Sequence, residues 1–413
     1  MKKIVVIGGG ISGLCSAYYL VKEGYRVTVI DQHNITEGAS FINAGYITPS
    51  HFLALAAPGV INQGIKWMFN SSSPFYIKPR VDIDFFKWTL NFKKSATAQK
   101  VKNSIPVLKE LNLKSRDLFD EMKNAMDFSF HYERKGVLMA YTTPKMEEEE
   151  LHMASIAKQE GLEVKIYSKA DLKAIQPSFS DNVIGAVHYE CDGHVTPNEF
   201  MKNLKLWLET AGVSFQLDQK VTAFKQTNNK IEAVLTNNNE VFGDEFVLAA
   251  GSWSFSLSKQ LGLYIPIQGG KGYSMNVNRE TRITLPAILA EAKVAVTPME
   301  GFTRFAGTME FSGNNNYIRK ERVEAIANAV KKYYNNTELS SEEKNTAVSG
   351  LRPVSPDGVP FIGKTSKFTN LTVATGHAMM GFSLGPITGK LVEEIISNKK
   401  STVNLSPLKV ERF

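Results

Sequence analysis

The stretch Lys3 to Asp31, KIVVIGGGISGLCSAYYLVKEGYRVTVID, constrains this chain more than any other. Ile4 to Ile7 are β-branched apolar residues in unbroken succession, the composition of a strand buried on both faces of a parallel sheet. Gly8, Gly10 and Gly13 follow at the spacing G-x-G-x-x-G. Leu14, Ala17, Tyr18 and Val21 then recur at helical spacing, Gly24 ends the helix, and Arg26 to Ile30 reads as a second strand that delivers Asp31. In such a unit the glycines provide a tight turn, a close backbone approach to a pyrophosphate and close helix–strand packing. The phosphates rest on the helix N-terminus, where unpaired N–H groups and the helix dipole favour negative charge. A carboxylate at Asp31 accepts from a ribose hydroxyl and argues against a 2′-phosphate. The unit predicts dinucleotide binding.

At 413 residues the chain has room for two domains and a large core. No uninterrupted apolar run reaches spanning length. Met1-Lys2-Lys3 before an apolar stretch imitates a secretory signal, but glycines, Ser12 and Ser16 interrupt it and a helical pattern continues it. Cys15 and Cys191 are too few and too poorly spaced for a disulfide framework or a zinc site, so a reducing, cytoplasmic setting and no metal are expected. The net charge of +7 is spread without a basic block and gives no indication of nucleic-acid binding.

Beyond Asp31, Gly38 to Ser50 reads as a small polar loop. Lys109 to Met126 reads as a helix, Gly136 to Tyr141 as a strand, and Pro144 opens another helix whose acidic run, Glu147 to Glu150, suits its N-terminal dipole. Thr196-Pro197-Asn198-Glu199 predicts a capping box with proline at the first helical position. Phe246 to Ala250 reads as a buried strand ending at Gly251, and Pro266 to Phe311 as an antiparallel sheet. A last strand, Leu371 to Ala374, leads through Gly376-His377 to a helix from about Gly385 to Asn398. With no repeat or linker in evidence, the fold class is α/β: a Rossmann-like domain (1–50, 192–258 and 346–413) interleaved with an α+β domain on a mostly antiparallel sheet (51–191 and 259–345).

Taken together, the opening fingerprint, Ser40-Phe41-x-Asn43-Ala44-Gly45, Ala56-Ala57-Pro58-Gly59, Ile65 to Phe69, Leu248 to Gly251, Lys271-Gly272-Tyr273-Ser274 and Gly350-Leu351-Arg352-Pro353 through His377 span nearly the whole chain. In that order they resemble the D-amino-acid oxidase superfamily of FAD enzymes, and within it the bacterial D-amino-acid dehydrogenases. The resemblance implies an FAD-binding domain and a substrate domain with the flavin between them. It implies that Gly8, Gly10 and Gly13 carry the pyrophosphate, Asp31 the adenosine ribose and Ser40 the phosphate or ribityl region. Gly45 and Gly251 join the cofactor set. Gly381, Phe382 and Ser383, leading into the last helix, face the flavin edge that gains charge on reduction. Relatives that tether flavin do so through a cysteine near the Arg-Pro block or a histidine before Ala-Gly. Here no cysteine follows Cys191 and Asn43 precedes Ala44-Gly45, so non-covalent FAD is expected.

Arg352 matches the family arginine that holds the substrate carboxylate, a task suited to a planar guanidinium; the competing reading pairs it with Asp357. Tyr273 is a second candidate donor to that carboxylate, or a core tyrosine. His377 is read as a pocket wall or a bond to FAD, not as an acid–base catalyst. The family's dehydrogenases carry Glu or Gln where Tyr46 stands and Gly-Thr-Leu where Ala378-Met379-Met380 stands, which opens the possibility of a bulkier or cyclic D-amino acid. The expected reaction is oxidative deamination of a D-amino acid or cyclic imino acid, with electrons passed to a quinone or other carrier. An oxygen-using oxidase of glycine, sarcosine or a cyclic imino acid and a flavin-binding protein without turnover are the alternatives. Residues 60–94 interleave Trp67, Met68, Phe69, Phe75, Tyr76, Phe85, Phe86, Trp88 and Phe92 with Lys66, Lys78, Arg80, Lys87, Lys93 and Lys94. Two readings stay open for them: peripheral contact with the inner face of the membrane, or a core stripe at Phe85, Trp88 and Phe92.

Overall fold

Four of the five residues of the first strand, Lys3–Ile7, are buried, because this strand is central in a six-stranded sheet. The computed structural model describes residues 1–53 and 73–413. Arg26–Ile30 and Glu245–Leu248 flank the first strand, Ser214–Gln216 and Leu371–Thr375 lie outside them, and all of these pairs are parallel. Phe361–Lys364 closes one side antiparallel to Leu371–Thr375. The helices Ile11–Lys22 and Gly385–Ile396 cross closely: a Cβ on Gly389 would stand 2.4 Å from the Cys15 backbone. Small residues at that crossing bring the beginning and the end of the chain together over one sheet face.

A nine-stranded sheet forms the other half. Its centre is the long pair Gln268–Val277 and Phe302–Phe311, antiparallel and followed outward by Val294–Met299. Parallel pairing occurs where Ala287–Leu289 meets Val137–Tyr141 and where Phe302–Phe311 meets Phe75–Ile77; the other pairs are antiparallel. The mostly antiparallel sheet expected from the sequence is therefore present. Val348–Val354, which carries Arg352, pairs with Gln268–Val277 and so belongs to this large sheet. A small sheet of Tyr46–Ile47, Gly193–Val195 and Tyr132–Glu133 lies between the two. The chain passes from one large sheet to the other several times, as an interleaved topology requires.

Local rules fail where tertiary contacts compete. The helix expected from Lys109 begins at Ala98, capped by Thr97, and runs through Pro106 to Ala125. Pro106 marks a break in sequence terms, yet burial of Ser104, Leu108 and Leu111 holds the helix together across it. The capping box at Thr196 does not form. Thr196 Oγ1 instead meets His131 Nδ1 and accepts from Glu300 N, each at 3.0 Å, while Glu199 Oε2 accepts from His131 N at 2.9 Å.

The aromatic segment divides. Trp88 and Phe92 are buried on the helix Ile83–Ser95, with Phe85 packed beside them, against Met309, Phe311 and Val354. Trp88 Nε1 donates to Val354 O at 3.0 Å. The core-stripe reading holds for these three rings. Phe75 contacts Phe311, and Tyr76 lies beneath Arg319 and Arg322. Phe86 is exposed. Ala56 to Gly59 and Ile65 to Phe69 lie outside the described residues. No helix among the described residues is long and apolar enough to cross a membrane.

Candidate functional site

A continuous cavity of about 960 Å³ runs from the glycine turn to the large sheet. That is the upper end of the range of about 300–1,000 Å³ for small-molecule sites, room for a large cofactor and a small substrate together. Gly8, Gly9, Gly10, Ile11 and Ser12 line one end. Gly8 has φ +111°, and a Cβ there would stand 2.4 Å from Ala249 O; one on Gly13 would stand 1.9 Å from Gly8 O. Gly13 thus seats the helix against the strand, off the cavity wall. No side chain caps this helix from Gly10. Ser40 Oγ, arriving from the polar loop, accepts from Ile11 N at 3.0 Å and keeps its own proton to donate to an anion.

Asp31 closes the same end. Its Oδ2 accepts from Gly9 N at 2.7 Å and its Oδ1 from His33 N at 2.9 Å, so the carboxylate holds the glycine turn and has lone pairs left for ribose hydroxyls. Burial raises its pKa against the opposing pull of the Gly9 and His33 N–H groups. Gln219 to Thr222 also line this end, a part of the site that the sequence reading missed. They arrive because Ser214–Gln216 pairs with Arg26–Ile30 and Gln219 N then donates to Asp31 O at 2.9 Å, a non-local pairing with no local signature. The narrow glycine cradle, the unfilled helix N-terminus and the paired acid fit the nucleotide half of FAD.

The loop from Ser40 to Thr48 is pinned by the large sheet. The buried Arg304 donates to Phe41 O and Asn43 O, and Thr297 Oγ1 donates to Ala44 O at 2.7 Å. Gly45 does not line the cavity; at φ +82° it lies so close to Val195 that a Cβ would stand 2.3 Å from that carbonyl. Its contribution is the turn. Tyr46 does line the cavity, but its hydroxyl is spent between strands, donating to Ala287 O at 2.7 Å and accepting from Val296 N at 3.0 Å.

Gly251, Gly381, Phe382 and Ser383 line the middle of the cavity. Ser383 Oγ accepts from Thr48 N and donates to Asn112 Oδ1, each at 3.1 Å, and Phe382 packs against Phe119 and Phe200. Their side chains fix the turn, which leaves its backbone as the surface for a ligand. The helix Gly385–Ile396 starts there; Gly385 N donates to Phe382 O and Ile387 N to Ser115 Oγ, so what this end offers negative charge is the helix dipole. His377 is buried, with Nε2 2.9 Å from Thr388 Oγ1. Thr388 already donates to Leu384 O, so the imidazole donates and Thr388 accepts. Burial pushes the His377 pKa down to about 4, so it is neutral at physiological pH.

At the far end stands Arg352, against Gly272, where a Cβ would lie 2.2 Å from Nη1. Nη1 donates to Thr308 O at 2.9 Å, and among the described residues the guanidinium has no carboxylate partner. Asp357, the competing partner, is taken by Arg412, with bonds of 2.7 and 2.9 Å. Burial alone pulls the Arg352 pKa down to about 10, which leaves it charged. Tyr273 also lines the cavity, but its hydroxyl donates to Glu310 Oε2 at 2.8 Å. Glu310 belongs to a buried charge cluster with Lys271 and Arg322 that the sequence reading did not anticipate. The site residues thus fall into a nucleotide end, a turn below the last helix and a half-buried cation on the large sheet, Arg352.

The family model for FAD dependent oxidoreductases (DAO) matches residues 3–395. The chain is 31% identical over 397 residues to a D-amino acid dehydrogenase of Helicobacter pylori, covering 95% of this chain and 94% of that one. It is 28% identical over 418 residues to a D-amino acid dehydrogenase of Granulibacter bethesdensis, covering 100% and 99%. Among solved structures it resembles glycine oxidase from Geobacillus kaustophilus, with a TM-score of 0.79, 18% identity and full coverage of both chains. It also resembles L-proline dehydrogenase from P. horikoshii, with a TM-score of 0.73, 20% identity and coverage of 100% and 97%. These two likenesses describe the fold.

Proposed function

Starting from the fact that this chain belongs to the DAO family of FAD-dependent oxidoreductases, we propose that it oxidises a D-amino acid at Cα and passes the electrons to a quinone or another carrier. The observation that carries the proposal is Arg352: a half-buried, charged guanidinium on the cavity wall with no acid among the described residues to neutralise it. A cation drawn partly out of water without an acid beside it is well placed for a ligand carboxylate, which the guanidinium can bind through paired hydrogen bonds. The carboxylate, bound by the guanidinium fork, fixes one end of the substrate and so the direction of its Cα–H bond.

FAD, when bound, supplies the two-electron acceptor for that hydride. Gly8 to Ser12, Asp31 and Ser40 would hold its nucleotide half without a covalent link, and the turn Gly381 to Ser383 its ring end. Tyr273 braces the wall through Glu310 rather than donating to the substrate. His377, neutral and bonded to Thr388, takes no proton and holds the turn below the last helix. The substrate loses hydride from Cα and a proton from nitrogen. The imino acid then adds water and releases ammonia and a 2-oxo acid, while a cyclic substrate stops at the imine.

Tyr46, Met139, Ile288 and Ala295 line the cavity on the large-sheet side together with His51 and Lys293, and the Tyr46 hydroxyl is consumed between strands. The apolar part of this wall suits an uncharged side chain, cyclic ones included. Anaerobic mixing of the yellow protein with a panel of D- and L-amino acids, glycine and sarcosine tests the reading. Bleaching by D-amino acids is expected, with rapid return of colour on adding quinone and slow return in air. Bleaching only by glycine or sarcosine with rapid return in air would make the protein an oxidase, and no bleaching at all would refute amine turnover.

A further inference from the structure

Away from the cavity, the small three-stranded sheet gathers a second constellation. His131 and Glu133 stand two residues apart where the strand Tyr132–Glu133 begins, so they share a face. Glu133 pairs with His194 of Gly193–Val195 in antiparallel register, which puts the His194 ring on the same face. His194 Nε2 is 3.4 Å and His131 Nε2 3.8 Å from Glu133 Oε2. The three ligand atoms lie within 4.8 Å of one another. Two ligands on one tetrahedral ion at about 2.1 Å stand about 3.4 Å apart, so closing this set around a cation takes relative movements of at most about 1.4 Å, shared between the side chains.

The decisive group is His194. Its side chain is 0% exposed, held by the Pro298 backbone, and its Nε2 stands 3.4 Å from Glu133 Oε2. Buried polar atoms are nearly always bonded, and Nε2 here faces a carboxylate and a second imidazole. His131 is oriented from behind: with Nδ1–H donated to Thr196 Oγ1, its Nε2 lone pair faces the group, the arrangement in which metal-binding histidines are held. That contact also accounts for the capping box that Thr196 does not form.

We propose that His131, Glu133 and His194 bind one divalent cation of the zinc class. Two imidazoles and a carboxylate suit Zn²⁺, Co²⁺ or Ni²⁺ over Mg²⁺ or Ca²⁺. Water completes the shell on the side where the His131 and Glu133 side chains are 19% and 33% exposed. The Lys135 ammonium, 2.9 Å from Glu133 Oε2, competes for the carboxylate, and its half-exposed side chain can swing into solvent. The ion staples Tyr132–Glu133 to Gly193–Val195, whose other neighbour, Tyr46–Ile47, continues the loop of the cofactor site. Its role is structural.

Flavin-loaded protein, stripped with a chelator, is titrated with Co²⁺ and, against a chromophoric chelator, with Zn²⁺. The expected result is one equivalent per chain, visible d–d absorption with Co²⁺, and a higher thermal midpoint with Zn²⁺. His194→Gln and Glu133→Gln should each weaken Zn²⁺ binding at least tenfold with flavin absorbance unchanged. Should His194→Gln not fold, His131→Gln, at the partly exposed ligand, must show the same loss. No stoichiometric uptake by the wild type, or equal uptake by the folded variants, overturns the proposal.

Discussion

Gly272→Ala displaces the proposed carboxylate anchor without touching it directly. The added Cβ would stand 2.2 Å from Arg352 Nη1 and 2.5 Å from Cζ and Nη2. Non-bonded contact needs about 3.5 Å, so the guanidinium must retreat by about 1 Å. The clash is with the end of a flexible side chain, and Gly272, although at the β-bulge between Lys271 and Tyr273, has no left-handed backbone, so the fold accommodates the methyl group. The retreat strains the 2.9 Å bond from Nη1 to Thr308 O and turns the fork away from a bound carboxylate. Hydrogen bonds to charged groups contribute about 1.5–3 kcal/mol, so kcat/KM should fall about 10- to 150-fold. The thermal midpoint should move by no more than about 4 °C. Anaerobic stopped-flow reduction against substrate concentration, with flavin content measured on the same samples, is the assay. A folded, fully flavin-loaded variant with wild-type kcat/KM would refute the reasoning, because the carboxylate would then be held elsewhere.

Direct removal in Arg352→Met should lower kcat/KM about ten- to a hundredfold or more, at least as much as Gly272→Ala, with unchanged FAD content, checked by steady-state kinetics and flavin absorbance. Gly13→Ala forces a Cβ to 1.9 Å from the Gly8 carbonyl, backbone against helix, and should yield colourless or insoluble protein, read from the flavin-to-protein absorbance ratio. Acid or heat should release FAD into the supernatant; flavin that stays with the precipitate would contradict non-covalent binding. The buried His377, with its pKa near 4, refuses the proton that the unfolded chain accepts below about pH 6.5. Its contribution to stability is therefore full above pH 7 and is lost as pH falls toward 4. Relative to His377→Asn, the wild type should lose about 2–3 kcal/mol between pH 7 and pH 4.5, measured by denaturant unfolding at each pH.

The nucleotide end was legible because its determinants are local. A strand, a glycine turn, a helix and an acid within Lys3 to Asp31 dictate their own geometry, and the strand is buried as its composition requires. The Gly385–Ile396 helix was legible for the same reason. What escaped depends on pairing across the chain. Tyr273 in a strand reads equally as donor or core, and only the approach of Glu310 from the neighbouring strand decides where its hydroxyl points. Asp357 is five residues from Arg352 and was the natural partner in sequence, yet Arg412 claims it. Thr196 and Glu199 have the residue types of a capping box but bond to His131. His131, Glu133 and His194 meet only through the register of a three-stranded sheet, which no spacing announces.

The central claim is that Arg352, half-buried and without an acid partner among the described residues, binds the carboxylate of a D-amino acid whose Cα is oxidised. Its most direct test compares anaerobic flavin reduction by a D-amino acid and by the amide of the same amino acid, in wild type and in Arg352→Met. The account predicts that the wild type is reduced at least tenfold more efficiently by the acid than by the amide, and that this preference collapses in the variant. Equal reduction by acid and amide in the wild type, or a preference that survives loss of Arg352, would contradict it.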